Sequence, residues 1–157
     1  MAATVLASIK EMHNNDETVR KYITQGVYYA VAPDSLDITQ GGVLVINHQG
    51  TTREKTTESV MEITDVDLIY YYNQLEDLDQ YVVPWAIAAY DDQEDAQDGG
   101  VLSIDGANSV SVDVAEEKPI QMGLEATSDK AGNNVFSVTI PLRVWVERPR
   151  TGYANSQ

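Results

Sequence analysis

The sequence predicts an α/β (α+β) domain: a mixed β-sheet with an N-terminal helix and a central helix packed on it, and β-strands filling the C-terminal part. Three observations carry that expectation. Two stretches, near residues 5–12 and 75–89, repeat apolar side chains at helical spacing. Residues 60–72 are a long run of β-formers with one apolar parity and one mixed parity. Residues 135–147 alternate, with Phe136, Val138, Ile140, Leu142, Val144 and Val146 on one face and mostly polar residues on the other. At 157 residues and 43 % hydrophobic content the chain suits one buried core. Residues 1–148 read as a single domain and residues 149–157 as a flexible C-terminal tail.

Taken in order, Val5, Leu6, Ile9 and Met12 form one helical stripe that Asn14 and Asn15 interrupt. Asp16 is placed to cap a second helical piece with Val19, Tyr22 and Ile23 on its apolar side, ended by Gly26. Residues 26–32 (GVYYAVA) read as a strand, turned by Pro33 and Asp34. VLVINHQ (43–49) reads as a strand buried on both faces at its apolar start. The polar residues 49–59 are either a loop or the exposed end of a long hairpin. In residues 60–72, Val60, Val66, Leu68, Tyr70 and Tyr72 share the apolar face, and Asp65 and Asp67 lie on the other. Leu75, Leu78, Val82, Trp85 and Ala89 mark the central helix, with Asn73 as its cap. Pro84 splits it into two short pieces, because proline breaks a helix interior but is tolerated in a first turn. Residues 91–100 (DDQEDAQDGG) read as an acidic loop. Four β-like segments follow: residues 101–104, 109–115, 119–127 and 135–147, with a turn at DKAGNN (129–134). Pro141 argues that the last strand is an edge or carries a bulge.

Charge is unevenly placed. Between Lys55 and Lys118 there is no Lys, Arg or His, and this stretch of 62 residues carries 16 carboxylates. Residues 1–55 sum to −1 and residues 118–157 to +2, against −15 for the whole chain. Such a block opposes binding to nucleic acid by phosphate neutralisation. It suits a surface that repels a polyanion or docks a basic partner, or simply a well-solvated or salt-adapted protein; salt adaptation, however, spreads acid along the whole chain. Cysteine is absent, which excludes disulfides, thiol catalysis and cysteine metal sites. The N-terminus has no basic region followed by an apolar run and does not read as a signal peptide. The longest apolar stretch, residues 82–90, is too short to span a membrane. A soluble protein, made or assembled inside a cell, is the expectation.

Catalytic signals are sparse. Nucleophilic catalysis needs a base beside the nucleophile, and the two histidines, His13 and His48, read as a surface residue on a helix and a strand end. Asp65 and Asp67 point the same way from a strand, a spacing able to hold a divalent cation. The acidic loop lacks the glycine and the terminal Glu of a calcium-binding hand. Gly41-Gly42 and Gly99-Gly100 precede strands, not helices, so no phosphate-cradling loop is present. No enzyme, cofactor or metal is expected. Tyrosine is abundant: Tyr28, Tyr29, Tyr70, Tyr71 and Tyr72 place rings on both faces of two strands, and tyrosines outside the core serve as interface anchors.

The order of segments is informative. DETVRKYI, GVYYAVAP, VLVINH, VMEITDVDLIYYY, LEDLDQYVVPWAIAAYDD and VFSVTIPLRVWVER follow one another along residues 3–148. This order resembles the tail terminator and related neck or tail-completion proteins of long-tailed phages and archaeal tailed viruses. It departs from them at Pro84 and in the extra β-segments of residues 101–127, which leaves a terminator, a head-side connector and another small virion protein open. The resemblance implies a small α/β domain that forms a homo-oligomeric ring, commonly a hexamer, in the virion tail or neck. The ring ends the tail tube, meets the tail tube protein and the head connector, and lets genomic DNA pass without specific binding or a membrane. Under that reading Tyr70, Tyr71, Tyr72 and Trp145 are candidates for subunit contacts, and Asp91, Asp92, Glu94 and Asp95 for an acidic rim or lumen. Two other readings stand beside it. One is an acidic adaptor or DNA mimic docking a basic partner, and the other is a metal-dependent hydrolase built on Asp65 and Asp67.

Overall fold

The alternation of residues 136–146 is realised in the computed structural model, which describes residues 2–96, 102–125 and 128–150. The order of elements is α1 (Ala2–Asn15), α2 (Glu17–Arg20), β1 (Val27–Tyr29), a 3₁₀ turn (Ile38–Gln40), β2 (Val43–Lys55) and β3 (Ser59–Tyr72). A helical arm follows, made of α3 (Leu75–Asp77), a π turn (Leu78–Val82) and α4 (Val83–Tyr90). The chain continues through β4 (Ser109–Val114), β5 (Gln121–Leu124) and β6 (Phe136–Pro149). The architecture is α+β: one mixed sheet, an N-terminal and a central helix, and C-terminal strands. Strand order is β1–β2–β3–β6–β4, with β5 beside the other half of β6. β1 runs parallel to β2 and every other pairing is antiparallel.

The inner face of the sheet meets the helices. Val66, Leu68, Tyr70, Val138, Ile140, Leu142 and Val144 pack there against Val5, Ile9, Val19, Leu78, Val82, Ala86 and Tyr90 in one core. At one end the outer face is covered as well, where Leu36, Ile38, Val43 and Val135 form a small second cluster. This explains the apolar start of β2: Val43, Leu44, Val45 and Ile46 are all at most 2 % exposed because both faces are covered there. Residues 49–59 are the far end of the β2–β3 hairpin, bent by an irregularity between His48 and Gly50. Asp16 caps α2 as its position predicts, accepting hydrogen bonds from the Thr18 and Val19 amides at 2.9 and 3.0 Å.

Several expectations are corrected. The second helical piece stops at Arg20, well before Gly26. The first strand holds only Val27–Tyr29, because Ala30 takes a left-handed φ of 69° and turns the chain away. The central helix is capped at Gln74, not Asn73, and no side chain closes that cap. A second piece does begin beside Pro84, as expected, but it follows the first without a break. The turn before it widens, and the Val83 amide donates to the Leu78 carbonyl five residues back; Pro84 then sits at the start of α4, where its missing N–H costs least. Residues 102–104 are not a strand, although Leu102 and Ile104 are buried; Val101 lies outside the described residues. The segment expected at 119–127 is a strand only over Gln121–Leu124, and residues 126–127 also lie outside.

Pro141 lies in a central strand, not at an edge. The Ala115 amide donates to the Pro141 carbonyl at 2.9 Å, so the nitrogen of Pro141 points the same way, toward β4 and β5. At that point β6 exchanges one partner for the other: β4 pairs as far as Leu142 and β5 begins at Thr139. The missing donor falls in the gap between two strands, which is why proline is tolerated there. Two residues expected in the tail, Pro149 and Arg150, are instead held at the end of β6. Pro149 pairs with Ser59 and the Arg150 amide donates to the Glu58 carbonyl, while residues 151–157 lie outside the described part.

Gly42 locks the strand layer to the helical layer. Its amide donates to the Tyr22 carbonyl at 2.7 Å, and a Cβ there would collide with the Tyr71 carbonyl oxygen and stand 2.8 Å from Ile23 Cδ1. Two of the three nearest atoms are backbone and cannot swing aside. Gly42→Ala is expected to lose about 3 kcal/mol of stability, read from the urea midpoint. A loss under about 1 kcal/mol would show that the two layers separate easily.

Candidate functional site

The acids of the uncharged-partner block gather on the helical arm and the loop after it. Residues 74–96 hold seven carboxylates and no basic residue. Glu76, Asp79, Asp91, Asp92, Glu94 and Asp95 are all exposed and Asp77 is half-buried. The ion pairs among the described residues are Asp65–Arg143, Glu117–Arg143 and Glu62–Arg148, so none of the seven is neutralised by a cation.

The loop is held firmly despite its exposure. Gln93 exchanges two backbone hydrogen bonds of 2.9 Å with Val112 of β4, and the Ala96 amide donates to the Val110 carbonyl at 2.8 Å. The Asp92 amide donates to Asp113 Oδ1 at 2.8 Å. Asp92 and Asp95 adopt left-handed φ angles of 52° and 51°, a conformation aspartate tolerates better than most residues. The loop thus covers the outer edge of β4. A hydrogen bond shared with Asp113 raises the Asp91 carboxyl above its ordinary range, with desolvation and the charges of Asp113 and Asp92 adding to it.

Trp145 joins this region from the other side. It lies on the outer face of β6 and, with Met61, Asp92, Glu94, Asp95 and Asp113, lines a shallow groove of about 420 Å³. An interface candidate and three rim candidates therefore meet in one acidic, aromatic groove. Their separation along the chain hides this from the sequence.

The three tyrosines have different fates. Tyr70 is fully buried and presents no surface to another subunit, which corrects the expectation that it is a contact residue. Its hydroxyl donates to His13 Nε2 at 2.6 Å. His13 is itself only 2 % exposed, a correction of the surface role expected for it. Its Nδ1–H donates to the Ile9 carbonyl at 2.8 Å, which leaves Nε2 as the acceptor for Tyr70. Trp85 lies edge-on to the imidazole at 5.0 Å and Tyr90 stacks at 6.0 Å. Tyr71 packs on the outer face with Leu36, Ile38, Val43 and Val135. Burial raises its hydroxyl pKa, and Glu125 raises it further. Tyr72 meets Tyr22 edge-on at 6.0 Å, and Tyr22 stacks on the exposed Tyr81 at 5.3 Å. Tyr81 escaped sequence reasoning because its place beside Tyr22 depends on how the arm folds back.

Asp65 and Asp67 do share a face, but each has a partner. Arg143 Nε donates to Asp65 at 2.7 Å and Gln49 Nε2 donates to Asp67 at 3.0 Å. Among the described residues no group of three or more His, Asp or Glu side chains is arranged to hold a metal ion. Nor is any helix there long and apolar enough to cross a membrane. No protein-family model matches the chain, and no curated protein matches it.

Proposed function

We propose that this chain is a structural subunit of a ring in the tail or neck of a tailed virus, with the helical arm and its loop lining an acidic passage. The observation that carries the reading is the run of seven carboxylates over residues 74–96, exposed for the most part and without a cation partner among the described residues. A wall of like charge repels the phosphate backbone, so DNA slides past without adhering. The ring ends the tail tube and meets the head connector, as the segment order suggests. No catalytic group is assigned.

The test is particle mass by light scattering at low and high salt. Each protomer is 17.3 kDa and carries a net charge of −15, so copies repel until salt screens them. A ring-sized particle at high salt is the expected result. A species of one protomer's mass at both salts would sink the ring in favour of an acidic adaptor for a basic partner. The passage is tested separately. Changing Asp91, Asp92, Glu94 and Asp95 together to lysine is expected to make the particle retain duplex DNA at low salt, whereas the unaltered protein does not.

A further inference from the structure

We propose that the sheet continues from one copy to the next, with the β5 edge of one protomer seated against the β1 edge of its neighbour. This rests on the ring reading and gives its subunit contact. Large exposed apolar side chains concentrate at these two edges: Tyr29 and Val31 are 44 % and 72 % exposed at one, Met122 and Leu124 44 % and 59 % at the other. The Glu125 amide donates to the Val135 carbonyl at 2.8 Å, so odd-numbered residues of β5 bond to β6. Met122 and Leu124 therefore direct their own N–H and C=O groups outward, where no described strand pairs with them.

Neither edge is paired with another described strand. Monomeric sheets blunt their edges with charge, proline or a covering loop. The free part of β2 carries Arg53, Glu54 and Lys55, and β4 is covered by residues 91–96. β1 (VYY) and β5 (QMGL) have no charge and no proline within them, and no described strand pairs with their outer edges, although the Tyr29 carbonyl of β1 accepts from the Val31 amide at 2.8 Å.

The two edges also lie on common rows. Tyr28 pairs with Val45, Val45 with Ile69, Ile69 with Thr139 and Thr139 with Gln121, so one row crosses the whole sheet from β1 to β5. A contact between two different edges is head-to-tail, and when the rotation closes it makes a ring. Both edge strands also come from the less acidic parts of the chain. Residues 1–55, which include β1, sum to −1 and residues 118–157, which include β5, to +2, while the rest carries −16. Lys10, 5.5 Å from the centre of the Tyr29 ring, adds a positive charge at one edge and Glu125 a negative one at the other.

The chain contains no cysteine, so engineered thiols report contacts without interference. With both Tyr29→Cys and Leu124→Cys, a bismaleimide cross-linker at high salt is expected to give a covalent ladder up to the ring's mass on a denaturing gel. Either substitution alone should give no cross-linked dimer, because unlike edges meet. Dimers from one single variant, or no ladder from a particle that light scattering shows to be assembled, would overturn the edge contact and leave the ring standing. Absence of any assembled particle would overturn both. Leu124→Lys should weaken assembly at least tenfold while thermal unfolding of the unassembled protein at low salt stays unchanged, since that side chain is exposed. Unchanged assembly would also overturn the contact.

Discussion

Arg148→Met is expected to cost about 3–5 kcal/mol, the loss typical of breaking a buried ion pair by removing one partner. Glu62 sits on the apolar parity of β3, paired with Val146 across the strands, and is only 3 % exposed. Arg148 Nε donates to its Oε1 at 2.7 Å, and Nη1 donates to the Asp105 carbonyl at 2.9 Å. One guanidinium therefore neutralises a carboxylate inside the sheet and holds the Asp105–Gly106 turn over the end of β6. Without it, Glu62 must be buried unpaired or the end of the sheet must open to admit water. The double change Glu62→Leu/Arg148→Met should recover most of the loss, because an apolar pair of similar volume replaces the ion pair. Arg143→Met is the control: its pair with Asp65 is about a third exposed on both sides, and its removal should cost less than about 1 kcal/mol. Urea midpoints of the four proteins decide the matter. Equal losses for Arg148→Met and Arg143→Met would mean that Glu62 is not sealed from water.

The same strand shows how far the sequence speaks. Period-two alternation is local, so the inner faces of β3 and β6 were legible, and with them the covering of the sheet by helices on one side. Glu62 and Thr64 share the parity of Val66 and Leu68, a sign that they enter the core, but their partners lie far along the chain. His13 carried a sign as well: Val5, Ile9 and His13 are spaced by four, which puts the imidazole on the buried stripe of α1. What alternation and helical spacing do not contain is pairing. Pro141 is compatible with a central strand only because β6 changes partners beside it, and Pro84 with a continuous arm only because the preceding turn widens. The exposure of the acidic loop followed from its composition. Its union with Trp145 did not, because it arises from the bonds that lay residues 91–96 along β4.

Burial of His13 sets a pH limit on the fold. Desolvation lowers its pKa from 6.5 to about 4, only partly opposed by the hydrogen bond to the Ile9 carbonyl and the charge of Asp16. The titratable groups in direct contact with the ring are the hydroxyls of Tyr70 and Tyr90, both held protonated by burial. Above pH 6.5 the imidazole is neutral in both folded and unfolded chains and contributes no pH dependence. As pH falls from 6.5 toward 4 the unfolded chain takes up a proton that the folded protein refuses, so stability drops; below about 4 both are protonated and the loss stops growing. The shift corresponds to about 3 kcal/mol by pH 4. His13→Gln isolates this effect, since the amide still accepts from Tyr70 and donates to the Ile9 carbonyl but does not titrate. The carboxylates add their own pH dependence to both proteins, so the difference between the two is the measurement. Unfolding free energies from urea titrations at pH 7 and pH 4.5 should fall by about 2–3 kcal/mol more in the unaltered protein than in His13→Gln. Parallel curves would mean that the ring reaches solvent, and that α1 does not seal the space between Tyr70 and Tyr90.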